Sequence, residues 1–172
     1  LSTGELVSCT LMALALHDLG QEAISLSGAQ AGILTDAGHS RARILAVEPQ
    51  RLLQELDGGK VVIVAGFQGI TEDMDITTLG RGGSDTTAVA LAVALGAQRC
   101  EIYTDVEGIY TADPRLEPRA CRLEEISYEE MLELASAGAR VMHSRAVELG
   151  WVYNMPIWVG STFKEGPGTL IH

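Results

Sequence analysis

Thr77-Thr78-Leu79-Gly80-Arg81-Gly82-Gly83-Ser84-Asp85-Thr86-Thr87-Ala88 is the stretch on which the reading of this chain turns. Three glycines and an arginine precede a Ser-Asp pair, and the apolar run 88–95 follows at helical length. Glycine lets a backbone approach a ligand closely and take up left-handed conformations. Ser84 or Asp85 is expected to cap the helix, whose first-turn N–H groups then make an anion site. Arg81 adds a planar fork that suits a carboxylate or a phosphate. Taken alone, such a segment is an ordinary Gly-rich turn with a cap. It is neither of the two common phosphate loops. No Gly-x-x-x-x-Gly-Lys-[Ser/Thr] occurs, and Asp85 stands where the third glycine of a dinucleotide fingerprint would follow Gly80-x-Gly82.

Outward from this turn, strand and helix patterns alternate. Upstream, residues 2–19 read as a helix that is apolar on most sides and therefore expected to be buried. Ser2 and Glu5 have capping-box spacing at its start. Residues 23–26 and 43–47 read as strands, and residues 49–56 as a short helix with Pro49 in its first turn. Residues 60–65 form a continuous Val/Ile run of the kind found in central parallel strands. It leads into Gly66-Phe67-Gln68-Gly69, read as a loop at a strand's carboxyl end, and the polar residues 71–75 read as a hairpin tip. Downstream, residues 100–104 are a strand that opens into the loop 105–115. Ser127 with Glu130 forms a second capping box, and Ile126 with Met131 a hydrophobic staple, for a helix ending near Gly138. A helix over 144–153 and strands over 157–159 and 169–171 close the chain.

This alternation predicts an α/β fold, a mainly parallel sheet between helix layers in a three-layer αβα sandwich, as one domain over residues 1–172. In such sheets ligands gather at the carboxyl ends of strands. The unusual loops 66–69, 80–85 and 105–115 all follow or adjoin predicted strands, which marks them together as a site.

Bulk properties narrow the function. A formal net charge of −11 argues against nucleic acid and anionic membranes as partners. The longest apolar runs are too short to cross a bilayer, and no basic leader with a cleavage site opens the chain, so a cytoplasmic location is expected. Cys9, Cys100 and Cys121 are far apart and lack metal-ligand spacing, which suits idle thiols in a reducing compartment. Of the 12 Lys and Arg residues only Lys60 and Lys164 are lysines, leaving 10 arginines. Phosphate chemistry here would rest on arginine, backbone amides and a metal ion, or on a lysine from elsewhere. The chain opens on Leu1 and is at once helical, as expected of a fragment or processed piece.

Taken together, the loops resemble the catalytic domain of monofunctional aspartokinases, within the amino acid kinase superfamily. The resemblance rests on Ser2-Thr3-Gly4-Glu5, Val64-Ala65-Gly66-Phe67-Gln68-Gly69, residues 77–88, Glu101-Ile102-Tyr103-Thr104-Asp105-Val106, residues 110–115, Glu130-Met131-Leu132-Glu133-Leu134 and Pro167-Gly168-Thr169-Leu170-Ile171. It runs through essentially the whole chain in the family's order. It implies transfer of a phosphoryl group from ATP, with Mg²⁺, to the side-chain carboxylate of L-aspartate. It also implies homo-oligomers formed through C-terminal ACT domains.

By the same resemblance, Glu5 would help bind aspartate, Arg81 would grip a substrate carboxylate, Gly82, Gly83 and Ser84 would line the pocket, and Asp85 would organise it. Phe67 would pack beside the substrate. Thr104, Asp105, Tyr110, Asp113 and Arg115, with Arg140 and Val141, would bind the nucleotide. The sequence departs from the family in three respects. The opening Lys-Phe-Gly-Gly-Thr-Ser strand would lie upstream of Leu1, so weak or no activity is expected of these residues alone; neither Lys60 nor Lys164, in the tail, is expected to substitute for its lysine. Arg140 stands where relatives have a nucleotide-contacting lysine, and His143-Ser144-Arg145 replaces His-Pro-Arg. Another amino acid kinase, acting on glutamate, acetylglutamate or a nucleotide, and a non-catalytic nucleotide-binding module remain as alternatives.

Overall fold

The computed structural model describes residues 2–139 and 141–172. The elements run α1 (Ser2–Asp18), β1 (Ala23–Leu26), β2 (Ile33–Thr35), β3 (Ile44–Val47), α2 (Gln50–Asp57), β4 (Val61–Val64), β5 (Gln68–Ile70) and β6 (Ile76–Thr78). They continue with α3 (Gly83–Ala94), β7 (Cys100–Thr104), β8 (Glu125–Ile126), α4 (Tyr128–Ser136), α5 (Ser144–Tyr153), β9 (Ile157–Ser161) and β10 (Thr169–Ile171). The chain divides into two units, the first ending at Thr87 and the second running from Ala88 to His172.

In the first unit β1 and β4 pair in parallel from Ala23↔Val61 to Leu26↔Val64, with α1 against both and α2 against β4. A second sheet has the order β3-β2-β5-β6. Its β5–β6 hairpin is closed where the Asp75 N–H donates to Thr71 Oγ1 at 3.1 Å, so residues 71–75 are the expected tip. Gly69 sets the packing of this sheet. A Cβ there would lie 2.5 Å from Thr35 Cγ2 and 2.8 Å from the Ile33 carbonyl oxygen. Without one, the buried hydroxyls of Thr35 on β2 and Thr77 on β6 hydrogen-bond at 2.6 Å. Both side chains satisfy each other in a place where an unpaired hydroxyl would be costly.

In the second unit the strand order is β7-β9-β10-β8, with β7–β9 and β8–β10 parallel and β9–β10 antiparallel. Val89 from α3, Met131 from α4, Ala146 and Val147 from α5, and Ile157, Val159 and Ile171 from the strands make its core. The expected capping box on α4 is present in both directions. The Glu130 N–H donates to Ser127 Oγ at 3.2 Å, and the Ser127 N–H donates to Glu130 Oε2 at 3.1 Å. Ile126 and Met131 are both buried beside it, as a staple requires. Ser127→Ala is expected to cost about 1 kcal/mol of stability. A lower urea midpoint at unchanged slope would register it, and an unmoved midpoint would deny the cap its role.

Several expectations need correction. Only Cys9 and Ala13 of α1 are buried, while Val7 is 55% and Leu11 61% exposed. An all-round apolar helix says that partners are wanted, not that these residues supply them. Burial and the neighbouring Glu5 carboxylate push the Cys9 thiol up. α1 already includes Ser2, and no Ser2–Glu5 cap is found among the described residues. Gln68 and Gly69 belong to β5 rather than to a loop. The short strands β2, β6 and β8 were not foreseen; with two or three residues each they carry too few side chains to show alternation.

Candidate functional site

In the first unit, β6 leads through Gly80 (φ +81°) and Gly82 (φ +66°) into α3. These left-handed glycines turn the chain sharply. The helical ladder opens with the Thr86 N–H donating to the Gly82 carbonyl at 3.1 Å, which puts the cap at Gly82. Ser84 and Asp85 therefore sit inside the first turn of α3, where backbone N–H groups have no acceptor within the helix. The expected cap at Ser84 or Asp85 is corrected to Gly82, two to three residues earlier. The hydroxyls of Thr86 and Thr87 donate back to the Gly82 and Gly83 carbonyls at 2.9 and 2.7 Å.

Phe67 faces this turn with φ +68°, a conformation rare for a bulky side chain. Its N–H donates to Thr87 Oγ1 at 3.1 Å, and its carbonyl accepts from the Leu79 N–H at 3.0 Å. Gly83 makes room for it, since a Cβ there would lie 2.8 Å from Phe67 Cδ2 and 2.9 Å from Leu79 Cβ. Glycine at 83 is thus a packing requirement as well as a loop feature. Phe67, Gly82 and Asp85 are half-buried, whereas Arg81 and Ser84 are exposed. Among the described residues Arg81 makes no ion pair. Glu5 lies in the first turn of α1, which is tied to β5 where Gln68 Nε2 donates to the Ser2 carbonyl at 3.2 Å.

The segment 36–42 also holds the turn, and the sequence reading did not identify it. Asp36 Oδ1 accepts from the N–H groups of Gly38 and Arg43 at 3.1 and 3.0 Å. The His39 carbonyl then accepts from the Thr78 N–H at 2.6 Å and from its hydroxyl at 3.1 Å. The Asp-x-Gly pattern of a tight Asx turn was its only signal.

In the second unit, β7 ends at Thr104 and the loop beyond it wraps a cavity of about 780 Å³. That volume is in the range for a small-molecule ligand. Thr104, Asp105, Tyr110, Asp113, Arg115 and Val141, all singled out from the sequence, line it together. Arg140 lies outside the described residues. Asp113 shapes the loop, its carboxylate accepting from the Arg115 N–H at 2.9 Å. The return strand of the loop is tied by Thr111 N–H to the Cys121 carbonyl at 2.9 Å and by Leu123 N–H to the Ile109 carbonyl at 2.8 Å. Met131, Leu134 and Ala137 from α4 and its end give the cavity an apolar wall, a role for which the sequence reading had not singled them out. Gly108 and the buried Thr169 fix the wall from below. Thr169 Oγ1 accepts from the Ile109 N–H at 2.9 Å and donates to the Leu123 carbonyl at 2.6 Å.

A family model described as the amino acid kinase family matches residues 1–161. The chain belongs to the amino acid kinase family. Among members, the aspartate kinase of Pseudomonas fluorescens SBW25 is 56% identical over 170 residues, covering 99% of this chain and 41% of that protein. The structure of Escherichia coli aspartokinase III in complex with aspartate and ADP matches with a TM-score of 0.89 at 38% identity, over 98% of this chain and 38% of that one. Synechocystis aspartate kinase matches with a TM-score of 0.84 at 53% identity, over 99% of this chain and 28% of that one. This amino acid kinase chain therefore spans less than half the length of the relatives it matches. Its α/β fold with mostly parallel pairing is the one the family resemblance implied. Among the described residues of this family member, no group of three or more His, Cys, Asp or Glu could hold a metal. No helix among them is long and apolar enough to cross a membrane.

Proposed function

We propose that the chain carries the catalytic machinery of an aspartate kinase: transfer of the γ-phosphoryl group of ATP to the side-chain carboxylate of L-aspartate, giving 4-phospho-L-aspartate. This is the entry step to lysine, threonine, methionine and isoleucine synthesis. The observation that carries the reading is the turn 80–85, with Arg81 exposed at the start of α3 and Phe67 locked against Gly83. A small acceptor bearing carboxylates suits that arrangement, because the Arg81 guanidinium is a planar fork for a carboxylate.

The chemistry asks little of a general base. A carboxylate of reference pKa about 3.9 is already ionised at neutral pH. The difficulty is to bring an anionic nucleophile to an anionic phosphate, which calls for in-line positioning and for charge stabilisation. In this reading Arg81 holds a carboxylate of aspartate through its fork, and the N-terminus of α3 adds the positive end of a helix. Glu5 takes the ammonium group, Phe67 packs on the substrate, and Asp85 orders the turn. Thr104, Asp105, Tyr110, Asp113, Arg115, Arg140 and Val141 hold the nucleotide.

Mg²⁺ enters as part of the substrate. It binds chiefly phosphate oxygens and water with one or two carboxylates rather than a protein cage. It would neutralise charge on the transferring phosphate.

Acceptor specificity tests the reading. ADP release by the product of the whole gene should depend on L-aspartate and stay at background with L-glutamate, N-acetylglutamate or UMP. Release with one of those acceptors and not with aspartate would move the assignment to another amino acid kinase.

A further inference from the structure

The sequence reading left Lys164 in the tail without a role, yet it stands beside the nucleotide cavity. β7 and β9 run parallel with Thr104 opposite Ser161. Beyond the strands the two segments stay together, because the Thr162 N–H donates to the Thr104 carbonyl at 2.8 Å. The Phe163 N–H donates to Ser161 Oγ at 3.1 Å, which bends the chain back. Lys164 Nζ then meets Glu107 Oε1 at 2.5 Å, 57 residues away in sequence.

Glu107 is a wall residue of the cavity. The charged groups among the described lining residues are Asp105, Glu107 and Asp113 against Arg115. An ATP phosphate chain entering such a cavity meets more negative than positive charge. The Lys164 and Glu107 side chains are 70% and 46% exposed, so the pair contributes little to folding stability. Its consequence lies in the local field. Glu107 and, to a lesser degree, Tyr110 hold the Lys164 ammonium above the usual lysine range, so it stays charged throughout the physiological range.

We propose that Lys164 is a positioning residue of the nucleotide cavity, which cancels the Glu107 carboxylate and so lets the cavity accept an anionic phosphate chain. The inference rests on the reading of this cavity as the nucleotide site. It assigns Lys164 no contact with the reacting atoms.

A ladder of ligand charge tests it. Adenosine, ADP and ATP would be titrated against the wild-type chain, Lys164→Ala, Glu107→Gln and the double variant. Lys164→Ala should weaken ATP about fivefold, ADP less, and adenosine by less than about 1.5-fold, and added salt should shrink the ATP effect. Glu107→Gln should bind ATP no worse than wild type. In the Lys164→Ala background, Glu107→Gln should restore ATP to within about twofold, because the uncompensated carboxylate is gone. Equal loss for all three ligands, no loss for any, or failure of the double variant to recover would overturn the proposal while leaving the nucleotide reading intact. A wild-type chain that binds none of the three would sink the nucleotide reading and this inference with it.

Discussion

Arg81→Ala is expected to lower aspartate-dependent kcat/KM about a hundredfold while leaving nucleotide affinity within about twofold. The size follows from the interaction lost. A charge-assisted, two-pronged bond to a carboxylate contributes about 1.5–3 kcal/mol, and its loss leaves the substrate charge facing α3 without a counter-ion. The selectivity follows from the placement. Arg81 belongs to the turn between β6 and α3, and it is not among the described residues that line the cavity. Arg81→Lys should recover only part of the loss, because an ammonium keeps the charge without the planar fork. Steady-state kinetics with aspartate varied at saturating ATP, beside direct nucleotide titration, make the check. Equal loss of both substrates would mean that Arg81 shapes the fold rather than holds aspartate.

Gly108→Ala is the substitution with the second-largest expected effect, and it acts through the loop 105–115. Gly108 has φ +148°, and an added Cβ would lie 2.5 Å from Thr169 Oγ1 and 3.2 Å from Arg122 Cδ. Thr169 is fully buried, so its hydroxyl cannot swing aside without breaking a bond to the Ile109 N–H or to the Leu123 carbonyl. Backbone strain and an unsatisfied buried group together cost about 3 kcal/mol. Tyr110 and Asp113 lie two and five residues beyond Gly108 on the same loop, so the cavity they line should lose about tenfold in nucleotide affinity. Urea unfolding and nucleotide titration of one preparation would show both losses together. Unchanged stability would mean that the loop relaxes around the methyl group and that Thr169 is not its anchor.

Much of this was legible before the structure. The β7 strand at 100–104, the α5 helix at 144–153 and the β10 strand at 169–171 have in the structure the limits expected of them. Each is bounded by strong local signals: turn residues for the strands, and for α5 the His143-Ser144 start and Asn154 in a left-handed cap. The capping box and staple of α4 were readable because both depend on residues within five positions of each other. Thr104, Asp105, Tyr110, Asp113 and Arg115 line one cavity together because they share one sequence-local loop, and Val141 joins them from the segment after α4.

What was not legible depended on long-range packing. The close approach of Phe67 to Gly83 at the start of α3 joins two segments, and nothing in 77–88 announces that contact. The anchoring of Thr78 by His39 joins segments 39 residues apart. The exposed face of α1 came from a composition that is apolar in every direction, which carries no information on which side is covered. Lys164 was read by its place in the sequence, and only the parallel register of β7 with β9 brings it to Glu107.

The central claim is that the turn 80–85 presents aspartate for phosphorylation at its side-chain carboxylate. The most direct measurement traps the product: the product of the whole gene is incubated with ATP, Mg²⁺ and L-aspartate in the presence of hydroxylamine, and aspartyl hydroxamate is measured. The account predicts hydroxamate that requires ATP and L-aspartate together and falls about a hundredfold in efficiency with Arg81→Ala. Folded protein that binds ATP yet forms no hydroxamate would contradict it.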